Sequence, residues 1–173
     1  QVETASATHD RRIVERVVAQ ATREAVKADL DLSYRRLAET APGAAEMFSW
    51  LSYFPAGLPG ELVPEVFGGE GEENRAILLR TTMAEEIGRD TRLVLTEPMR
   101  AYAQAAARKL AEERRSELLG ASFGAMGVWL DMLAGKLGKP GARDAMDRAT
   151  RDAENLRALL TVARSLPVAA GGD

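Results

Sequence analysis

The absence of cysteine from the 173 residues excludes disulfides, thiolate metal sites and a cysteine nucleophile. A hydrophobic share of 46% is normal for a globular protein and too high for a disordered one. The formal net charge of −3 excludes a protein that binds polyanions over its whole surface, although it leaves room for a local basic face.

The first predicted element is a long amphipathic helix over residues 10–37. Apolar residues recur there at helical spacing from Val14 to Leu32, and neither glycine nor proline intervenes before Pro42. A break near residues 29–31 is compatible with this pattern, and residues 1–29 are assigned to a polar tail and a leading helix from a preceding domain. The tail contains the single histidine, His9, so zinc would lack imidazole and thiolate partners, and no metal site is predicted.

The next stretch predicts a core helix, two shorter helices and a β-hairpin. Six of the eight positions 47–54 in PGAAEMFSWLSYFP hold large apolar residues, and Pro55 and Gly57 end this core helix. Shorter helices fit residues 59–68 and 72–86. A turn at residues 88–91 then separates two short strands, of which the second alternates over residues 93–95.

Three helices are predicted after the hairpin. Thr96 is a candidate N-cap, and Pro98 suits the first turn of the helix that follows it. Two later helices, joined by GKPG, each carry one apolar stripe, formed by Leu119, Phe123, Met126, Leu130, Leu133 and Leu137 and by Ala149, Ala153, Leu156, Leu160 and Ala163. Residues 167–173 are interpreted as a frayed tail.

The order of these elements predicts a mainly α fold. Residues 30–115 fit a winged helix-turn-helix with a small β-hairpin wing, and residues 116–166 fit an antiparallel, tetratricopeptide-like helical hairpin. Such arrays usually need about three repeats for stability, so the hairpin is interpreted as the start of an array and the chain as a piece of a longer protein. The apolar faces near Leu130 and Leu156 must pack on the winged helix, a further repeat or a second copy of this chain, which leaves a homo-oligomer open.

Four sequence segments resemble, in the same order, one region of a known family. They are DLDLSYRRL, AEMFSWLSYFPAGLPGELVPEVFG, RLVLTEPMRAYAQ and RDAENLRALLTVA, which together span residues 29–164. This order resembles the region downstream of the nucleotide-binding core in STAND-class signalling ATPases, especially NB-ARC-type bacterial transcriptional regulators. In that family a wing motif precedes an Arg-Ala-Tyr-Ala helix, which here corresponds to residues 100–103.

The resemblance implies a non-catalytic regulatory region in signal transduction or transcription. Such a region would relay the ADP or ATP state of an upstream nucleotide-binding domain to downstream helical repeats, and both would be its protein partners. In the family, a histidine of the wing motif contacts bound ADP. The corresponding position is Thr96, followed by Glu97, so these two residues are the nucleotide-sensor equivalents in this chain.

Several features of enzymes and membrane proteins are missing from the sequence. No G-x-x-x-x-G-K-[ST] occurs, and the glycine-rich GGEGEEN is acidic where a phosphate loop attracts anions. The serines have no histidine partner except the remote His9, so neither catalytic residues nor a cofactor of this chain is predicted. No apolar run approaches the roughly 20 residues of a membrane span, which favours a cytoplasmic protein.

A stand-alone DNA-binding winged-helix transcription factor is the alternative hypothesis. Cationic side chains of the predicted recognition helix over residues 72–86, the wing and the next helix would contact DNA, and the candidates are Arg75, Arg80, Arg89, Arg92 and Arg100. Four glutamates of the same recognition helix would repel the phosphate backbone. DNA is therefore the less favoured partner.

Overall fold

A computed structural model describes the backbone of residues 2–166 and the side chains of residues 15–166. This part of the chain is mainly helical, as predicted, with seven α-helices and one two-stranded antiparallel sheet. In chain order the elements are α1 (Val2–Thr40), α2 (Pro42–Leu51), a 3₁₀ turn (Gly60–Leu62), α3 (Val63–Phe67), α4 (Gly71–Arg80), β1 (Glu85–Ile87), β2 (Arg92–Val94), α5 (Glu97–Ala107), α6 (Glu112–Ala134) and α7 (Ala142–Ser165). The chain divides into two compact units, residues 1–36 and residues 37–173.

The first unit consists of most of α1, which is longer than the predicted helix. The helix begins at Val2 and continues without a break through residues 29–31, because no proline or glycine interrupts its backbone hydrogen bonds. Val17 and Leu32 are 61% and 66% exposed, so the predicted apolar stripe is not buried at these positions. The side chain of His9 lies outside the described residues.

The core of the second unit is built around α2, as the aromatic-rich sequence predicts. Pro42 occupies the first turn, where its missing N–H costs no helical hydrogen bond. Met47, Phe48 and Trp50 are fully buried, and burial of each contributes about 1.5–3 kcal/mol. Helix α2 packs against α4 and α5, α3 packs against α4 and α6, and α6 packs against α7.

The predicted β-hairpin is confirmed, with β1 antiparallel to β2 and Glu86 opposite Leu93. Gly88 has a φ of +74° in the connecting turn, a conformation that glycine adopts without strain. Leu93 also pairs with Leu58 through two backbone hydrogen bonds of 2.8 and 3.0 Å. The residues after α2 therefore lie along the outer edge of β2.

The helix predicted over residues 72–86 is wrong at its C-terminal end. Helix α4 ends at Arg80, and residues 85–87 form β1 instead. Thr82 has a φ of +55°, Met83 N donates to Leu78 O, and Thr82 N donates to Leu79 O. This is a Schellman end, which reverses the chain and buries Met83; threonine replaces the usual glycine, so no glycine marked the boundary in the sequence.

The two predicted C-terminal helices are present as α6 and α7, but their buried faces differ from the predicted stripes. On α6, Leu119, Met126 and Leu133 are buried as expected, whereas Leu137 lies beyond the helix and is 52% exposed. On α7 the buried face lies one position earlier than predicted and contains Ala145, Asp152, Asn155, Leu159 and Val162. Leu160 of the predicted stripe is 48% exposed, because two polar residues occupy buried positions that a purely apolar pattern cannot identify.

Candidate functional site

Arg92 and Asp152 form a buried ion pair between β2 and α7. Arg92 Nη1 donates to Asp152 Oδ1 at 2.7 Å, and Nη2 donates to Oδ2 at 2.9 Å. The Arg92 side chain is 1% exposed and the Asp152 side chain 0%. Bidentate pairing of this kind matches the planar guanidinium to the carboxylate and fixes the orientation of both side chains.

A second carboxylate, Asp90 in the hairpin turn, also pairs with Arg92, so one buried guanidinium faces two carboxylates. Arg92 Nε donates to Asp90 Oδ2 at 2.6 Å, and Asp90 is also buried. Burial by itself raises the pKa of Asp90, but the hydrogen bond and charge of Arg92 outweigh it and hold the pKa below its ordinary value. Stability from this pair is therefore present above the ordinary carboxyl pKa and is lost as the pH falls through the depressed value.

Helix α6 and the loop after α2 join the same group of hydrogen bonds. Trp129 Nε1 of α6 donates to Asp152 Oδ2 at 2.8 Å. Asn155 Nδ2 donates to Gly57 O at 2.9 Å, and its Oδ1 accepts from Ala56 N at 3.0 Å. We call the set Asp90, Arg92, Trp129, Asp152 and Asn155 the buried network, and it connects the hairpin, the loop at residues 56–57, α6 and α7.

No family model, no curated protein and no solved structure matches this chain. In the buried network every described side-chain donor has an acceptor, because the two buried side-chain atoms without a partner in the described residues belong to Arg100 and Arg115. Such a saturated group stabilises a tertiary arrangement.

The five arginines predicted to contact DNA do not form one exposed group. The prediction that Arg92 lies on a DNA-facing surface is wrong, because its guanidinium is buried and paired with two carboxylates. Arg75 is paired with Glu72 at 3.1 Å and with Glu86, and Arg100 Nη2 donates to the carbonyl oxygens of Pro55 and Leu95 at 3.3 and 3.2 Å. Arg80 and Arg89 are exposed.

The predicted nucleotide-sensor equivalents lie at the start of α5. Thr96 occupies the N-cap position, as expected, with an extended backbone, but its side chain makes no capping hydrogen bond. Glu97 is 85% exposed and lies 3.7 Å from Arg100 Nη1. Both side chains are thus accessible to another molecule or domain.

The functional residues predicted from the sequence do not include Trp129, Asp152 and Asn155 of the buried network. A usable signal was present on α7, where Asp152, Asn155, Leu159 and Val162 recur at spacings of three and four. Within residues 15–166 no three His, Cys, Asp or Glu side chains cluster as metal ligands would. Over the described part of the chain, no helix combines the length and apolar character that crossing a bilayer requires.

Proposed function

We propose that the chain is a non-catalytic regulatory and protein-interaction region of a cytoplasmic STAND-type signalling or transcriptional regulator. Residues 30–115 would act as a winged helix-turn-helix with β1 and β2 as its wing, and residues 116–166 would begin a tetratricopeptide-like array. The region relays the ADP or ATP state of an upstream nucleotide-binding domain to downstream helical repeats. Motif order supports this proposal at the level of fold analogy.

The buried network is the observation that carries the proposal. A relay requires that movement at one end is transmitted to the other rather than absorbed between them. Separating Arg92 from Asp152 would leave an uncompensated charge inside the protein, at a cost of about 3–5 kcal/mol. The hairpin and α7 are therefore expected to move together.

The accessible start of α5 supplies the input end of this relay. Thr96 and Glu97 are exposed and follow β2 directly, four and five positions after the buried Arg92. An upstream core that contacts this corner would act on β2 and, through Arg92, on α7. Threonine in place of the family's histidine makes the contact a hydrogen bond from a hydroxyl rather than from an imidazole.

Amide hydrogen exchange tests whether α7 is coupled to Leu58 and to Leu93 of β2. We expect Asn155→Ala on α7 to accelerate exchange of the Leu58 and Leu93 amides about fivefold, because the loop at residues 56–57 loses two hydrogen bonds to Asn155. The matched control is Glu154→Ala, one position earlier on the exposed face of the same helix. Faster exchange confined to α7, with Leu58 and Leu93 unchanged, would contradict the relay.

The alternative, a DNA-binding transcription factor, depends on the exposed Arg80 and Arg89. Fluorescence anisotropy of a labelled random-sequence duplex, titrated at low and near-physiological salt, separates the two functions. If the chain acts as a relay, we expect no saturable binding of the DNA duplex even at low salt. Micromolar binding that weakens steeply with salt, and that Arg89→Glu abolishes, would establish the alternative instead.

Self-association is a further part of the proposal. Leu130 and Leu156 are half-buried, so the faces predicted for a second copy are already partly covered within the chain. Val128 and Met132 are 72% and 39% exposed on α6. A homo-oligomer would therefore use the face of α6 that carries Val128 rather than the predicted stripe.

A further inference from the structure

A cavity of about 590 Å³ lies between the end of α2, α5, the start of α6 and the end of α7. Its polar lining includes Tyr53, Arg100, Gln104, Arg108 and Arg115. The volume falls within the range of about 300–1,000 Å³ that is typical of small-molecule sites. The cavity is separate from the buried network, none of whose five residues lines it.

The cavity carries a concentrated positive charge. Three arginines line it and no aspartate or glutamate does. Within residues 15–166, neither Arg108 nor Arg115 has a carboxylate within ion-pair distance, and the carboxylate that reaches Arg100 belongs to the 85% exposed Glu97. Arg108 and Arg115 are unneutralised, and Arg100 is paired only with this exposed glutamate, so the three guanidinium groups around one concavity repel each other and favour an anion between them.

Two donors at this cavity are unsatisfied. The Nε atoms of Arg100 and Arg115 are buried and have no hydrogen-bond partner among the described residues, and no other described buried side-chain atom is in this state. A buried donor without an acceptor costs about as much as a lost hydrogen bond, so the protein itself satisfies these two arginines incompletely.

Two of the three arginines, Arg100 and Arg115, are held in place before any ligand binds. Arg100 Nη2 donates to the carbonyl oxygens of Pro55 and Leu95, and Arg115 Nη1 donates to Arg108 O at 3.5 Å. Burial raises the pKa of the Tyr53 phenol, although Arg115 and Arg108 oppose this, so the phenol keeps its proton at neutral pH and is able to donate. Preorganised donors reduce the entropy that a ligand must lose on binding.

We infer that this cavity binds a phosphate-bearing small molecule. A phosphate group carries up to two charges and several acceptor oxygens, which matches three guanidinium groups and a phenol better than a single carboxylate does. The remaining volume accommodates an organic body on the phosphate. This inference is independent of the proposed relay, because it uses none of the residues of the buried network.

Isothermal titration calorimetry of the full chain at low ionic strength tests the inference with four probes: inorganic phosphate, ribose 5-phosphate, ADP and acetate. We expect saturable binding of the phosphate compounds and much weaker binding of acetate. Arg108→Gln is expected to weaken phosphate binding about tenfold, because one charged donor is lost. Arg108 is exposed, so this variant is expected to fold, and circular dichroism confirms that it has.

Two further variants test the contribution of the Tyr53 hydroxyl and of charge outside the cavity. Tyr53→Phe keeps the ring that packs edge-on against Trp50 with centroids 5.0 Å apart and removes only the hydroxyl, so binding should weaken severalfold. Arg89→Gln removes the same charge from the exposed hairpin turn, outside the cavity, and should leave binding unchanged. Tighter binding of ribose 5-phosphate or of ADP than of inorganic phosphate would identify which organic body the cavity takes.

The inference is overturned by any of three results. They are the absence of saturable binding of every phosphate compound, acetate binding as tightly as phosphate, and equal weakening by Arg89→Gln and Arg108→Gln. The last result would show that general surface charge, rather than the cavity, attracts the anion.

Discussion

Replacing Asp152 by asparagine is expected to lower the free energy of unfolding by about 2–4 kcal/mol, because buried hydrogen bonds to the carboxylate are weakened while Asp90 still pairs with Arg92. The substitution keeps the shape of the side chain but removes the negative charge that pairs with the buried Arg92 guanidinium. It also places an amide N–H₂ against the donors of Arg92 or Trp129, so at least one donor loses its acceptor. For a chain of this length the melting temperature should fall by roughly 10 °C.

Urea unfolding followed by tryptophan fluorescence measures this effect. Both tryptophans, Trp50 and Trp129, are buried in the second unit, and Trp129 donates directly to Asp152. Asp147→Asn, an identical change on the exposed face of α7, is the control and should alter stability by less than about 0.5 kcal/mol. Equal stability of the Asp152 and Asp147 variants would mean that the buried ion pair does not hold the hairpin to α7.

A double-mutant cycle with Arg92→Gln isolates the pair from its surroundings. If Arg92 and Asp152 stabilise each other directly, the double variant should be less destabilised than the sum of the two single variants by about 1–3 kcal/mol. Additive losses would indicate that each side chain acts through other neighbours, for example Asp90 or Asn155.

Alanine at Gly57 is expected to destabilise the protein by about 2–4 kcal/mol. Gly57 has a φ of +78°, which disfavours any residue with a Cβ atom. An added Cβ would also lie 2.5 Å from Val94 Cγ1 and 3.2 Å from Arg92 Cβ, so β2 would have to move. The loop at residues 56–57 accepts hydrogen bonds from Arg92 and Asn155, and displacing it would weaken the buried network.

Gly138→Ala separates the two causes of this loss. Gly138 has a φ of +74°, but nothing lies within 4 Å of the position that its Cβ would occupy. The Gly138→Ala variant should therefore lose only about 1–2 kcal/mol of its free energy of unfolding, from backbone strain alone. Thermal unfolding of both variants measures the difference between their losses of stability. Adding Val94→Ala to the Gly57→Ala variant should restore part of the stability that the steric clash removes. Equal losses at Gly57 and Gly138 would exclude a steric role for Val94.

Local sequence patterns were sufficient for most of the secondary structure of the described residues. Helical periodicity identified α1, α6 and α7, the cluster of large apolar residues identified α2, and the turn at residues 88–91 identified the hairpin. The end of α4 was misplaced because Thr82 adopts the left-handed conformation without the glycine that usually marks it. Prediction succeeded where the deciding interactions are short-range and failed where a backbone conformation departs from the preference of its residue.

Arginine placement is the clearest case in which sequence reasoning failed. Under the alternative hypothesis Arg92 is a DNA-contact candidate because it lies in the predicted wing, whereas its partner Asp152 lies 60 residues away in the chain. The arginine-lined cavity likewise combines residues from α5, α6 and the end of α2, so no local pattern predicts it.

Helix periodicity, turn residues and hydrophobic clustering act over a few residues, so local patterns predict a mainly helical protein with one short hairpin and an aromatic core at residues 47–54. Which polar side chains are buried depends instead on tertiary packing. Burial of Arg92 and Asp152 is tolerated only when both charges and all their hydrogen bonds are satisfied together, and that condition depends on how β2, α6 and α7 pack.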